Sequence, residues 1–156
     1  MLAIMLLVMN DATSEEKGII GEYKVDGRPV VMKFVDELPT VVTREKYRWL
    51  TVVSWKYDGA QNNGMPESED LERMKQLERS IDSSLVDAGF CLHAYSRTGN
   101  NLKELVYYII DRDEFLSALN RALAEHPQYP IDIDFYEDAE WKDFQTILGK
   151  FDLSGQ

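Results

Sequence analysis

The 156-residue chain predicts an α+β fold, and three observations carry that prediction. Two runs, Trp49 to Tyr57 and Leu105 to Ile110, are rich in β-branched and aromatic residues and place apolar side chains on both alternation sets, as strands buried on both faces do. Two stretches, Leu71 to Ala88 and Phe115 to Leu123, repeat apolar residues at three- and four-residue spacing, the period of a helix with one buried stripe. Two further runs, Phe90 to Arg97 and Ile131 to Tyr136, alternate apolar with polar and predict half-buried edge strands.

Taken in order, the chain opens on nine apolar residues, Met1 to Met9, far short of the roughly 20 that span a bilayer. The first lysine is Lys17 and Asn10-Asp11 follow the run, so the basic start and cleavage site of a secretory leader are missing. The segment reads as an extra buried strand or as a mis-assigned start with Met9 the true one. After a polar spacer, Ile19 to Val25 and Arg28 to Val35 flank Asp26-Gly27, a pair suited to the positive φ values of a type I′ hairpin turn. Pro29 puts the start of the second strand at an edge or bulge. Asp36 to Arg48, with Pro39 and scattered charge, reads as a connector into the central strand.

The loop Asp58 to Pro66 holds two glycines, Asn62-Asn63 and a proline, which stop that strand. Ser68 suits an N-cap, Glu69 and Asp70 favour the positive end of the helix dipole, and Gly89 suits the stop. Gly99-Asn100-Asn101 supplies a hairpin turn before the second doubly apolar strand. Asp111 or Asp113 caps the next helix, which ends before Pro127. Asp138 caps a short last helix carrying Trp141, Phe144, Ile147 and Leu148, with Gly149 as its stop.

From Trp49 to Tyr136 the order is strand, helix, strand, strand, helix, strand, which is the ferredoxin-like βαββαβ pattern. Right-handed crossovers place its first and third strands in the middle of the sheet, and those are the two doubly apolar runs. The expected organisation is one domain: residues 1–18 an N-terminal segment, 19–35 an added hairpin, 49–136 the core and 138–148 a C-terminal helix. A two-layer sheet would leave the second apolar face wet, so the hairpin, the last helix or a second subunit must cover it.

The formal charge is -11, which repels phosphate backbones and anionic lipid, so neither nucleic acid nor membrane is expected as a partner. Cys91 is the single cysteine and has no internal bridge to form, which makes a cytoplasmic protein the default. Two histidines and one cysteine nearly exclude a zinc site of the usual ligands, and no cofactor is expected. His126, just before Pro127, suits a helix C-terminus. His93 shares an alternation set with Cys91 and Tyr95; residues two apart on a strand stand about 6.5 to 7 Å apart, too far for a preformed catalytic pair, so an ordinary strand surface is the reading. Asp132, Asp134, Glu137, Asp138 and Glu140 read as a solvated edge rather than a cation site. Trp49 or Trp55, with Tyr95, Tyr108 and Tyr136, lack the interleaved basic residues of a base-stacking sheet and read as packing. The one loop placed to bind a small ligand is that before the first core helix, with Asn62, Asn63, Gly64 and Ser68 as candidate contacts. Free amides at a helix start suit an anion there, but Asp58 to Met65 contains no Arg or Lys.

Three motifs in this order, Val25-Asp26-Gly27-Arg28-Pro29, Asn63-Gly64-Met65-Pro66 and Asp138-Ala139-Glu140-Trp141, resemble an uncharacterised bacterial family, the domain of unknown function 695. The resemblance spans about Ile19 to Leu148; where the family often has Pro after the last Asp, this chain has Ala139. The family is similar in outline to an inhibitor of ribonuclease E called regulator B and has no established catalytic residues to transfer. It implies a small cytoplasmic α+β protein that regulates by protein contact. The expected function is therefore a non-catalytic interaction or regulatory module whose acidic surface meets a basic protein partner, with a homodimer as a further arrangement. The alternative is a small-ligand binder or enzyme using the Asn62 to Ser68 loop.

Overall fold

Seven strands form one antiparallel sheet in the order β1-β2-β3-β5-β6-β4-β7, seen in a computed structural model that describes residues 7–10 and 17–151. The strands are β1 (Leu7–Asn10), β2 (Lys17–Val25), β3 (Arg28–Phe34), β4 (Trp49–Lys56), β5 (Cys91–Gly99), β6 (Leu102–Ile109) and β7 (Ile131–Glu137). The helices are α1 (Val41–Lys46), α2 (Ser68–Ile81), α3 (Arg112–Ala122) and α4 (Lys142–Lys150). β4 and β6 lie side by side inside the sheet, where their doubly apolar sequences require them. Met1 to Leu6 of the apolar opening run lie outside the described residues, while Leu7–Asn10 pair with β2 as an added strand.

Both hairpin turns are the two-residue, positive-φ kind: Asp26 and Gly27 at 51° and 78°, Asn100 and Asn101 at 52° and 67°. Asp111 caps α3, its Oδ1 accepting from the Glu114 amide at 2.9 Å. Asp138 caps α4 from a turn further out, its two oxygens accepting from the Lys142 and Asp143 amides at 2.9 and 3.1 Å.

Several expectations are corrected. Ser68 is the first helical residue of α2, with Glu67 in the cap position at φ -68° and ψ 162°. The last turn of α2 widens into a π-type turn, Asp82–Val86, before Gly89 closes it at φ 84°. Gly149 lies inside α4, because the turn beyond it is held by Phe151, 2% exposed and stacked on Phe34 at 4.9 Å. The connector contains α1, which the sequence hides because its valines Val41 and Val42 are exposed and form no periodic apolar stripe. β5 is an interior strand, since β3 pairs along it from Val30↔Gly99 to Phe34↔Tyr95.

That pairing settles what covers the second sheet face. α2 and α3 bury one face with Met74, Leu77, Ile81, Leu85 and Phe115 against Val53, Trp55, Leu105 and Tyr107. The hairpin extends the sheet in its own plane, and α4 covers the other face with Trp141, Phe144, Ile147 and Phe151 against Leu50, Val106, Tyr108, Met32 and Phe34. α4 runs obliquely, from Trp141 stacked on Tyr108 of β6 at 3.8 Å to Phe151 on Phe34 of β3. Its far end lands where β2 has Gly21; a Cβ there would stand 2.6 Å from the Phe151 ring.

Candidate functional site

The loop before α2 is organised by its own backbone. The Gly59 carbonyl accepts from the Asn62 and Gly64 amides at 2.9 and 2.8 Å, and the Met65 amide donates to the Asn62 carbonyl at 3.0 Å. Gly64 is buried, and its carbonyl accepts from the Tyr57 hydroxyl at 2.7 Å and the Asn101 amide at 3.0 Å. The Asn62 side chain is turned onto the Pro66 carbonyl at 3.0 Å; Asn62, Asn63 and Ser68 are all exposed. Of the residues expected to face an anion, Asn62 is turned back into the loop and the Gly64 carbonyl ties it to the β5–β6 turn, where Asn101 Oδ1 also accepts from the Gly59 amide at 2.9 Å. Gly59 has no room for a side chain, with Gly64 C at 2.6 Å and Met65 O at 2.8 Å from an ideal Cβ. Gly59→Ala is expected to lower stability by about 1–2 kcal/mol through overpacking, measured as a fall in the urea midpoint.

β5 carries the groups with nucleophile or base chemistry, and a bulge sorts them. His93 pairs with Tyr107 while Tyr95 pairs with Val106, so one extra residue lies between. Cys91 and His93 therefore face the α2 layer, and Tyr95 and Arg97 turn to the α4 face, correcting the single outer surface expected for all four. Burial, with the Asp82 charge behind it, pushes the Cys91 thiol up to about 12. Burial pushes His93 down to about 4, helped by Lys33 and Lys103 and opposed by Glu78. At neutral pH the pair is a thiol beside a neutral imidazole, without the charge separation of an activated nucleophile. Lys103 donates to Thr98 Oγ1 at 2.8 Å, and its ammonium is likewise disfavoured by burial.

Elsewhere the polar groups hold structure together. The Tyr108 hydroxyl donates to Asp138 Oδ2 and the Tyr95 hydroxyl to Asp143 Oδ2, both at 2.8 Å, which pins the start of α4. His126 lies between the Tyr129 hydroxyl at 2.7 Å and Ser80 Oγ at 3.4 Å. Among the described residues no group of three or more His, Cys, Asp or Glu side chains is placed to hold a metal ion. An open depression of about 400 Å³ lies beside α3, lined by Phe90, Asp113, Glu114, Ser117 and Arg121.

The surface with most unspent chemistry is the part of the second sheet face that α4 leaves open. The register sets Ser54 beside Asp132 and Val52 beside Asp134, and at the α4 border sets the buried Leu50 beside Tyr136. Asp132 and Asp134 are exposed, Tyr136 is 54% exposed, and Val52 and Ser54 are half-buried. Of the aromatic residues expected to pack, Trp55, Tyr95 and Tyr108 do so, while Tyr136 stands on this open face. β7 ends the described sheet, so the acidic face runs out to an unpaired edge. The sequence signal for it was the Asp132 and Asp134 alternation; what it did not contain was the limit of α4.

A family model described as "Family of unknown function (DUF695)" matches residues 22–148. No curated protein and no solved structure matches the chain. The match covers most of the 156 residues, and the chain belongs to that family.

Proposed function

We propose that this is a non-catalytic protein-interaction module with a regulatory role, which meets a basic protein partner through the open acidic half of its second sheet face. The observation that carries the proposal is that face itself: Asp132 and Asp134 exposed in register beside Ser54 and Val52, with the half-buried Val52 at the border where the face meets the α4 cluster. Carboxylates of one sign over a partly apolar floor suit a surface that steers and then seats a positively charged partner. We infer with it a ferredoxin-like core of β4, α2, β5, β6, α3 and β7; the order β5-β6-β4-β7 with both helices on one face supports that assignment. A buried, unbridged Cys91 supports a reducing, cytoplasmic setting.

The test is capture from native lysate with cross-linking, comparing the unchanged protein with D132K/D134K. A partner retained at low salt, released at moderate salt, lost by the variant and cross-linked near β7 is expected. Equal retention by the two proteins, with the variant shown to be folded by its melting curve, overturns the proposal.

A further inference from the structure

Among the described residues β7 pairs only with β4, and its hydrogen-bonding phase is fixed by the chain just beyond it. The Asp138 amide donates to the Arg48 carbonyl at 2.8 Å, so the pair Arg48 and Asp138 is a hydrogen-bonded one. In an antiparallel ladder such pairs alternate with non-bonded ones. Tyr136, Asp134 and Asp132 then bond to β4, while Ile131, Ile133, Phe135 and Glu137 turn their backbone groups outward. The Ile131 amide agrees with this phase, since it donates backwards to the Tyr129 carbonyl at 2.9 Å rather than across to β4. Among the described residues nothing pairs with the outward groups of Ile133 and Phe135.

The edge also lacks most of the features that keep edges from pairing. Ile131–Glu137 contains neither Pro nor Gly and keeps its register with β4 without a shift. Ile131, Ile133 and Phe135 remain half-buried on the helix side, so their apolar flanks have room for one more strand. What guards the edge is the negative charge of Asp132 and Asp134, while Glu137 at its end is paired with Arg48 at 2.7 Å. Two copies of this edge would set carboxylate against carboxylate, which is unfavourable, whereas a basic strand would meet opposite charges across the new pair.

We infer that the partner of the acidic face binds as an added strand along β7, its basic side chains beside Asp132 and Asp134 and its alternate apolar side chains beside Ile131, Ile133 and Phe135. This rests on the reading of that face as the partner surface and adds the binding mode and the pattern of the bound segment. Main-chain hydrogen bonds to the outward groups of Ile133 and Phe135 supply the register, and the alternating pockets supply specificity.

The probe is a labelled peptide of alternating Lys and Val, followed by fluorescence anisotropy at low ionic strength and by amide hydrogen exchange of the protein. A matched peptide N-methylated at alternate residues keeps its charges but loses the amides that would face the edge. Binding of the first peptide is expected, with slowed exchange at Ile133 and Phe135 and a loss of roughly tenfold or more in affinity on N-methylation and with D132K/D134K. Equal affinity for the N-methylated peptide in both methylation phases, with exchange unchanged, overturns strand addition while leaving the acidic-surface reading standing. No binding of either peptide, together with partner retention that ignores the charge reversal, overturns both. Self-association of the free protein with those same amides protected overturns the inference by giving the edge to a second copy.

Discussion

Acidification from pH 7 to pH 4 is expected to cost the unchanged protein up to about 3 kcal/mol more stability than it costs a His93→Phe variant. His93 titrates near its ordinary 6.5 in the unfolded chain but only at about 4 when folded. Burial is the first cause: among the described residues Nε2 is buried without a hydrogen-bond partner. The charges around it come from three elements, Lys33 on β3 and Lys103 on β6 disfavouring the cation, Glu78 on α2 favouring it. The Tyr107 ring lies at 5.1 Å and Cys91 on the same strand face, neither supplying compensating charge. Between the two pKa values the unfolded state takes up a proton that the folded state refuses. The contribution is thus fully present above pH 6.5, lost as pH falls towards 4, and constant below. Phenylalanine keeps the ring and removes the orphan nitrogen, so at pH 7 the variant should stay within about 1 kcal/mol of the original. Urea unfolding at pH 7, 6, 5 and 4 reads the difference, which isolates His93 from the carboxylates titrating in both proteins. Parallel stability curves would show that the ring is hydrated in the folded state.

The same histidine shows where the sequence stops being legible. Alternation along Phe90 to Arg97 places Cys91, His93, Tyr95 and Arg97 on one side, but one bulged residue after His93 divides the set between two cores. A bulge leaves no compositional mark here, because Ala94 and Tyr95 are both acceptable strand residues. The strands themselves, the two positive-φ turns and the Asp111 and Asp138 caps were legible, since each rests on local chemistry that needs few partners. The interior position of β5 was not, because its second neighbour is a hairpin some 60 residues earlier in the chain, and a long-range pairing has no local signal. The bonding of the candidate loop was hidden in a comparable way. Two asparagines and two glycines look the same whether they await a ligand or bond within the protein, and here Asn62 bonds back to Pro66 while Asn101 of the β5–β6 turn holds Gly59. The acidic alternation of β7 was read as a solvated edge; its neighbours Val52 and Ser54 become a surface only once the path of α4 is known.

Trp141→Ala is expected to remove about 3–5 kcal/mol, a large share of the roughly 5–15 kcal/mol that stabilises a domain. Trp141 is 1% exposed, lies parallel to Tyr108 at 3.8 Å, meets Phe144 edge-on at 5.9 Å, and donates from Nε1 to the Tyr47 carbonyl at 2.9 Å. Alanine leaves a cavity between β6 and α4 and a buried carbonyl without its donor, two costs that add. The backbone adds a second, separable effect. Trp141 sits at φ 58° and ψ 41°, a left-handed conformation that a bulky residue adopts only when its surroundings impose it. Glycine relieves that strain while losing the same ring, so Trp141→Gly should be the milder variant, by up to about 1 kcal/mol. Because α4 is what covers Met32, Phe34 and Val106, loosening its start should expose that apolar face and raise binding of a hydrophobic dye before global unfolding. Urea midpoints and dye fluorescence on the two variants decide the matter. If alanine costs less than about 1 kcal/mol and no dye binds, the second face is held by contacts other than the α4 clamp, and the open acidic half beside it loses its defined border.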